Sequence, residues 1–567
     1  MNMPDCQEQI YSNEYADYIV ELRQDLAGLM EVYGELCYEN VAGELGVIHV
    51  PQEDNLPELW EAYRSYPKCY ALLDTTHLEA MGVERLRRQP FLDLNGQGVI
   101  LGIVDTGIDY QGQVFRYADG SSRILALWDQ TIPYKEKRKD DPAYGTVYTR
   151  EQLGKALASE NPFEIVPSRD SHGHGTFLAG VAAGNFLSEE DFSGVAPLTD
   201  LAVVKVKEAK AYLREYYGIS EGIPCYQETD LILAVNWLVG LSIRRQQPLV
   251  ILLALGTNQG GHEGQSYLAF QLRANHQVSG RCICLAAGNE TGRGHHYRGY
   301  LRGMDSFQEV EFRVAAGELG LVMELWNEIP DTYAIGFVTP TGYHTGELTI
   351  LPGQILRREF AFEPVVIEVA YEVGLRNVGQ RLTGIRLMNP TPGLWKIQIY
   401  GKEVLSGRYD LWLPVESFIK EETRFLMPDP DTTICDPGNA LETITTGAYN
   451  HRSGGIDIHS SRGYTRDNGI KPDLVAPGVE IFGPEPGVGN LPGRFGTRTG
   501  TSVAAALTAG TCALLLEYDP KSSGRELQQD LIRGAIREDR TYPNQEWGYG
   551  ILDVYRTLEL MGGQPRR

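Results

Sequence analysis

A doubly wound parallel α/β fold with an antiparallel β-sandwich inserted in it is what the sequence predicts, on three observations. Four continuous apolar runs, QGVILGIVD, DLAVVKV, PLVILLALG and RCICLAAGN, each end in small or polar residues, as parallel strands buried on both faces do. An amphipathic segment, ETDLILAVNWLVGLSIRRQ (228–246), lies between two of them, and strands alternating with helices imply a parallel sheet. From about 303 to 415 the pattern changes to short alternating stretches separated by turns such as PTG and NPTPG, which suits two packed antiparallel sheets.

Taken in chain order, residues 1–75 stand apart, with helical periodicity in ADYIVELRQDLAGLMEVYG. The α/β pattern occupies 76–302. The sandwich pattern follows over 303–415, carried by VEFRVAAG, GLVMELWN, TYAIGFVTP, VVIEVAYEV, GLWKIQIYG and RYDLWLP. The α/β pattern resumes over 416–567 with ETITTGAYN and KPDLVAPG, so the β-rich block reads as an insertion.

A chain of 567 residues exceeds one comfortable core, and 42% hydrophobic residues with 10% aromatics fit an ordinary globular composition. The net charge of −24 argues against nucleic acid or an anionic membrane as main partner. The first residues lack the basic and apolar regions of a signal peptide, and no run of about 18 apolar residues predicts a membrane span. A cytoplasmic location follows as the expectation. The eight cysteines form no CxxC pair and are expected to be free, buried thiols, Cys282 and Cys284 sharing one face of a strand.

Chemistry-bearing residues recur at element ends. The run GVILGIVDTGID delivers Asp105 to the carboxyl end of a strand, where ligands of open α/β sheets bind; by itself it also reads as a turn aspartate. In GTRTGTSVAAALTAG, Ser502 opens a helix of small residues, either as a cap or as a hydroxyl at its positive end. The stretch DSHGHGTFLAG contains His172 and His174. As a metal pair they fail, because i and i+2 lie on different faces of a helix. Together, Asp, His and Ser can supply a nucleophile, its base and the group that orients the base.

DTGID, HGTFLAG and GTSVAAA resemble the three signatures of subtilisin-like serine proteases. GVAPLTDLAVVKV, LALG (253–256), AAGNE (286–290) and SSRG…KPDLVAPG agree with further stretches of that family, over roughly 97–300 and 440–560. The resemblance implies that Ser502 attacks a peptide carbonyl. The base is His174, the histidine followed by Gly-Thr, and His172 is a loop residue. Asp105 holds the imidazole and Asn289 donates to the oxyanion. Leu253, Ala254, Leu255, Gly256 and Gly288 bind substrate, and Glu290 is expected near the mouth of the P1 pocket (for the residue whose carbonyl is attacked), favouring a polar or basic side chain. Two positions depart from the pattern. Ala506 stands where the serine helix usually has proline, and Ala254 where the substrate strand usually has serine. No cofactor or metal is implied.

Members of that family are commonly made with an N-terminal propeptide, here an α+β unit over 1–75 ending in the extended stretch KCYALLDTTHLEAMGVERL. Self-cleavage is expected near Leu73–His77, at Thr75/Thr76. With DTGIDY and the large insertion, the chain further resembles the Csp germination proteases of clostridial spore formers. That resemblance implies a jelly-roll insertion clamping the catalytic domain and a spore association. The protein substrate would be a cortex-hydrolase zymogen, and the propeptide would stay bound after cleavage. A general degradative protease and a pseudoprotease that binds partners through the old cleft are the alternatives.

Overall fold

A computed structural model of the chain describes residues 15–21, 37–42, 45–51, 76–89, 91–134, 141–348, 355–373, 379–487 and 493–562. The chain divides into two compact units, Met1–Leu73 and Asp74–Arg567. In the first, strands Tyr15–Glu21 and Cys37–Ala42 each pair antiparallel with Leu45–Pro51. The helical reading of 16–34 fails where it can be compared. Residues 15–21 carry Tyr, Ile and Val, which favour a pleated strand, and pairing with Leu45–Pro51 overrides the local helical spacing.

The second unit is built on a central sheet in the order Gly455–Ile456, Ile444–Asn450, Arg281–Ala286, Leu249–Leu253, Ile100–Asp105, Asp200–Lys205, Ile124–Asp129, Thr146–Thr149. Its inner pairs are parallel. All four predicted runs are strands here, and all but four of their residues, at the ends of two strands, are buried, which is why they read as unbroken apolar runs. The histidine helix (His174–Ala183) and the serine helix (Thr501–Tyr518) pack together on one face; helices Glu228–Arg245 and Tyr267–His276 cover the other. The serine helix is long and apolar enough to cross a membrane by length and composition, but 83% of it is buried within the fold. Residues 76–87, expected to be extended, form two short helices, Thr76–Ala80 and Val83–Arg87. Leu78, Met81, Val83 and Leu86 seat them in the main core.

The inserted block is two antiparallel sheets, one of six strands and one of four, with strands from His296 to Phe425. It is wider at both ends than 303–415, because His296–Tyr300 pairs with Arg408–Trp412 and Arg424–Phe425 with Phe307–Val314. A second hydrophobic core, including Trp395, Phe312 and Tyr409, fills the space between the sheets.

A buried ionic cluster ties the insertion to the parallel-sheet layer. Asp410, fully buried on a sandwich strand, accepts from Arg466 Nε (2.9 Å) beyond the insertion, from Arg298 Nε (2.9 Å) and from His296 Nε2 (3.0 Å). Burial alone would raise its pKa; His296 and the arginines reverse that and hold the carboxyl well below the usual range. Trp412 is stacked between His262 and His296, at centroid distances of 4.0 and 4.8 Å. Asp410→Ala removes the fully buried carboxylate that the buried Arg466 guanidinium shares with Glu263 and is expected to cost about 3–5 kcal/mol. A chemical-denaturation midpoint unchanged from wild type would contradict this.

Cys225, Cys282, Cys284, Cys435 and Cys512 are free and buried. The sulfurs of Cys282, Cys284 and Cys512 lie within 4.8 Å of one another, with Cys284 and Cys512 at 3.7 Å. Among the described residues this is the one group whose donors come close enough to share an ion. It offers three ligands where a structural zinc takes four, and it is sealed in the core, where burial pushes the Cys282 and Cys284 thiols up.

Candidate active site

Ile100–Asp105 lies between Asp200–Lys205 and Leu249–Leu253, where the chain's progress across the sheet reverses. A crevice opens at the carboxyl end of such a strand, and Asp105 is placed there. Its carboxylate accepts from His174 Nδ1 through both oxygens, at 2.8 and 2.9 Å, and from Thr106 N–H at 2.7 Å. A carboxylate can only accept, so Nδ1 carries the proton and Nε2 is left as the basic nitrogen.

Glycine is required for this approach. A Cβ on Gly175 would fall 2.2 Å from Gly107 O and 3.2 Å from the Asp105 Cβ, so a larger residue would push the histidine helix off the aspartate loop. Asp170 fastens the same junction. It accepts from the N–H groups of Gly173 (2.8 Å) and Thr176 (2.9 Å), and from the hydroxyls of Thr106 (2.9 Å) and Thr176 (2.7 Å). Sequence reading passed over Asp170. Its signal is an acidic residue shortly ahead of a helix-opening histidine, within reach of the first-turn N–H groups that a helix leaves without intrahelical partners. His172 is exposed in the loop, its ring 6.3 Å from that of His174.

Burial disfavours the charged forms of both members of the pair, and their mutual attraction outweighs it. The Asp105 carboxylate raises the pKa of His174, with Arg498 opposing and Asp170 assisting. His174 and the Thr106 N–H lower that of Asp105.

Ser502 stands in the first turn of the serine helix, half-buried, its hydroxyl donating to Ala254 O at 3.4 Å. Its helix packs against the helix that His174 opens. Asn289 Oδ1 accepts from Thr501 N–H (3.0 Å) and from its hydroxyl (3.2 Å). That fixes the orientation of the amide and turns its NH₂ away from Thr501. The Ser502 N–H is among the donors a first helical turn leaves without an intrahelical partner. Asn289 is thus tied to the first turn of the serine helix, one residue from Ser502.

The remaining predicted residues divide. Leu255 and Gly256 reach the surface, Ala254 is nearly buried, and the Leu253 side chain belongs to the core, so Leu253 has only backbone to offer. Gly288 adopts φ +102° and donates to Thr501 Oγ1 at 3.0 Å. Glu290 is not at a pocket mouth. It is 5% exposed, and its carboxylate accepts from His295 Nδ1 (2.6 Å), Asn258 Nδ2 (3.1 Å) and Glu416 N–H (3.1 Å). A carboxylate so buried and so occupied braces the Asn289 loop and is not presented to a substrate side chain, so the polar or basic P1 preference is withdrawn. Thr76 opens a helix of the second unit, and Thr75 lies outside the described residues.

A family model described as the Subtilase family matches residues 96–313 and 428–550. Among curated proteins, the Subtilisin-like protease SBT1.9 of Arabidopsis thaliana is 23% identical over 488 residues, covering 78% of this chain and 60% of that protein. The serine protease AprX of Bacillus subtilis (strain 168) is 31% identical over 145 residues, 23% of this chain and 33% of its own length. The chain therefore spans less than two thirds of either. Among solved structures, that of the Clostridium perfringens CspB protease is similar with a TM-score of 0.75 and 29% identity, covering 86% of this chain and 97% of that one.

Proposed function

The chain belongs to the subtilase family, and on that premise we propose that it is a serine endopeptidase working through an acyl-enzyme on Ser502. The observation that carries this reading is the double contact of His174 Nδ1 with Asp105, which leaves Nε2 as the basic nitrogen on a helix packed against the serine helix. Nε2 takes the Ser502 proton as Oγ attacks a peptide carbonyl. Asn289 Nδ2 and the Ser502 N–H receive the oxyanion, and the imidazolium then protonates the leaving amine. Water completes the cycle by the same steps in reverse roles.

The expected test result is one fluorophosphonate adduct per chain, mapped to the Ser502 peptide and lost in His174→Ala. Absence of any adduct would favour the pseudoprotease alternative. Asn289→Ala is expected to lower kcat by roughly 10²–10³-fold with KM little changed; a loss under threefold would remove Asn289 from the oxyanion site.

The finer reading is a processing protease that cuts its own N-terminal segment near Thr75/Thr76 and then a zymogen of the cortex-hydrolase kind. The likeness to CspB over 97% of that chain supports it over a general degradative protease. Digestion of unfolded casein at many sites, with no preference for a folded zymogen, would favour the degradative alternative.

A further inference from the structure

The two substrate segments, 254–256 and 286–289, leave adjacent parallel strands side by side, with Leu253 opposite Leu285, and separate beyond them. Ser502 faces the gap through Ala254 O, and Asn289 faces it from the other side. A substrate acylating Ser502 has its carbonyl oxygen toward Asn289. The side chain of the same residue is attached one bond from that carbonyl, so it has to enter the gap between these segments.

Gly256 and Gly288 line the gap without side chains, but the room this makes is already taken. A third segment, 433–436, is laced between them. Asp436 exchanges both backbone hydrogen bonds with Thr257 (2.9 and 2.9 Å), and Cys435 N–H donates to Ala287 O (2.9 Å). The Cys435 side chain is turned inward and is 4% exposed. An ideal Cβ on Gly288 would lie 2.4 Å from Cys435 Sγ, and one on Gly256 would lie 2.9 Å from Cys435 Cβ. The thiol also contacts Asn258 Oδ1 at 3.5 Å, which holds it in place. Where the glycines admit a longer side chain, the sulfur stands as a floor.

We propose that Cys435 closes the pocket for the residue on the acyl side of the cut bond and restricts it to small side chains such as Gly, Ala, Ser and Thr. This rests on the endopeptidase reading above, and it replaces the polar or basic preference withdrawn with Glu290. The role is one of specificity, since the thiol touches the substrate side chain and not the reacting atoms.

The test uses the full-length protein and one peptide series differing only in the acyl-side residue: Ala, Thr, Gln, Leu and Phe. Ratios of kcat/KM within each variant are compared, which cancels the active fraction. Wild type is expected to prefer Ala or Thr to Leu and Phe by at least tenfold, since one methylene too many in such a pocket loses roughly 10–200-fold. Cys435→Gly is expected to raise the Leu:Ala and Phe:Ala ratios at least tenfold. Cys435→Ser, nearly the same size, should keep the wild-type order. Wild type cutting after Leu or Phe as fast as after Ala would overturn the proposal even if Cys435→Gly failed to fold. A soluble Cys435→Gly with unchanged ratios would overturn it too. Wild type that cuts no peptide and takes no fluorophosphonate would overturn the endopeptidase reading itself, and the pocket proposal with it.

Discussion

Ser502→Ala is expected to lower kcat on a peptide substrate by on the order of 10⁶-fold, the scale seen when the nucleophile of a Ser–His–Asp constellation is removed. The substitution takes away the only group that forms the acyl bond, while the two oxyanion donors, both independent of the hydroxyl, remain. The fold should hardly notice. The hydroxyl makes one long contact, 3.4 Å to Ala254 O, worth about 0.5–1.5 kcal/mol or less at that length. Alanine partly offsets the loss through its higher helix propensity, in a helix whose next three residues after Val503 are already Ala504, Ala505 and Ala506. A thermal midpoint near that of wild type with peptidase activity gone is the expected pairing. The intact mass should stay at full length in the variant if the chain cuts itself near Thr75. Residual activity within tenfold of wild type would mean that another group attacks the substrate.

Much of the site was legible in the sequence because its residues sit where secondary structure begins or ends. Asp105 closes an apolar run, His174 opens a small-residue helix and Ser502 opens another; each boundary is marked locally by glycine and by a change of periodicity. The four buried strands were visible for the same reason. The strand Ile124–Asp129, as fully buried as they are, went unnamed because its apolar run is short and bounded by charged residues. What escaped depends on partners far away in sequence. Glu290 looked like a cleft residue from its place beside Asn289. Its burial is set by Asn258, His295 and Glu416, the last 126 residues on. Cys435 looked like an isolated thiol, and only the folding of 433–436 between 257 and 287 puts it against two glycines. The edges of the insertion escaped likewise, since His296–Tyr300 is a sandwich strand by virtue of a partner more than a hundred residues later.

Asp105→Asn is expected to lower kcat by about 10⁴-fold, although the amide has the carboxylate's shape. The reason is tautomeric. The carboxylate can only accept, so it fixes the proton on His174 Nδ1; an amide can present its NH₂ instead and hold the imidazole with its basic nitrogen turned inward. The imidazolium formed during attack also loses the anion that stabilises it. The pH behaviour separates these effects from simple misfolding. In wild type, His174 must be neutral to act and its pKa is raised, so the acid limb of kcat/KM should fall above the ordinary imidazole value of about 6.5. In the variant, burial and Arg498 remain without the carboxylate, and the limb should move to lower pH. Stability carries the same signature with its own signs. The raised pKa of His174 stabilises the fold below about pH 6.5, and that contribution is lost as pH rises through the folded value. The lowered pKa of Asp105 stabilises the fold above about pH 3.9, and is lost as pH falls through its folded value. The pair therefore contributes most between those limits. Denaturation midpoints of wild type and variant should differ most near pH 5 and converge toward alkaline pH. A difference that grows with pH above 7, or an acid limb that stays where it was, would mean that Asp105 does not hold the charge of His174.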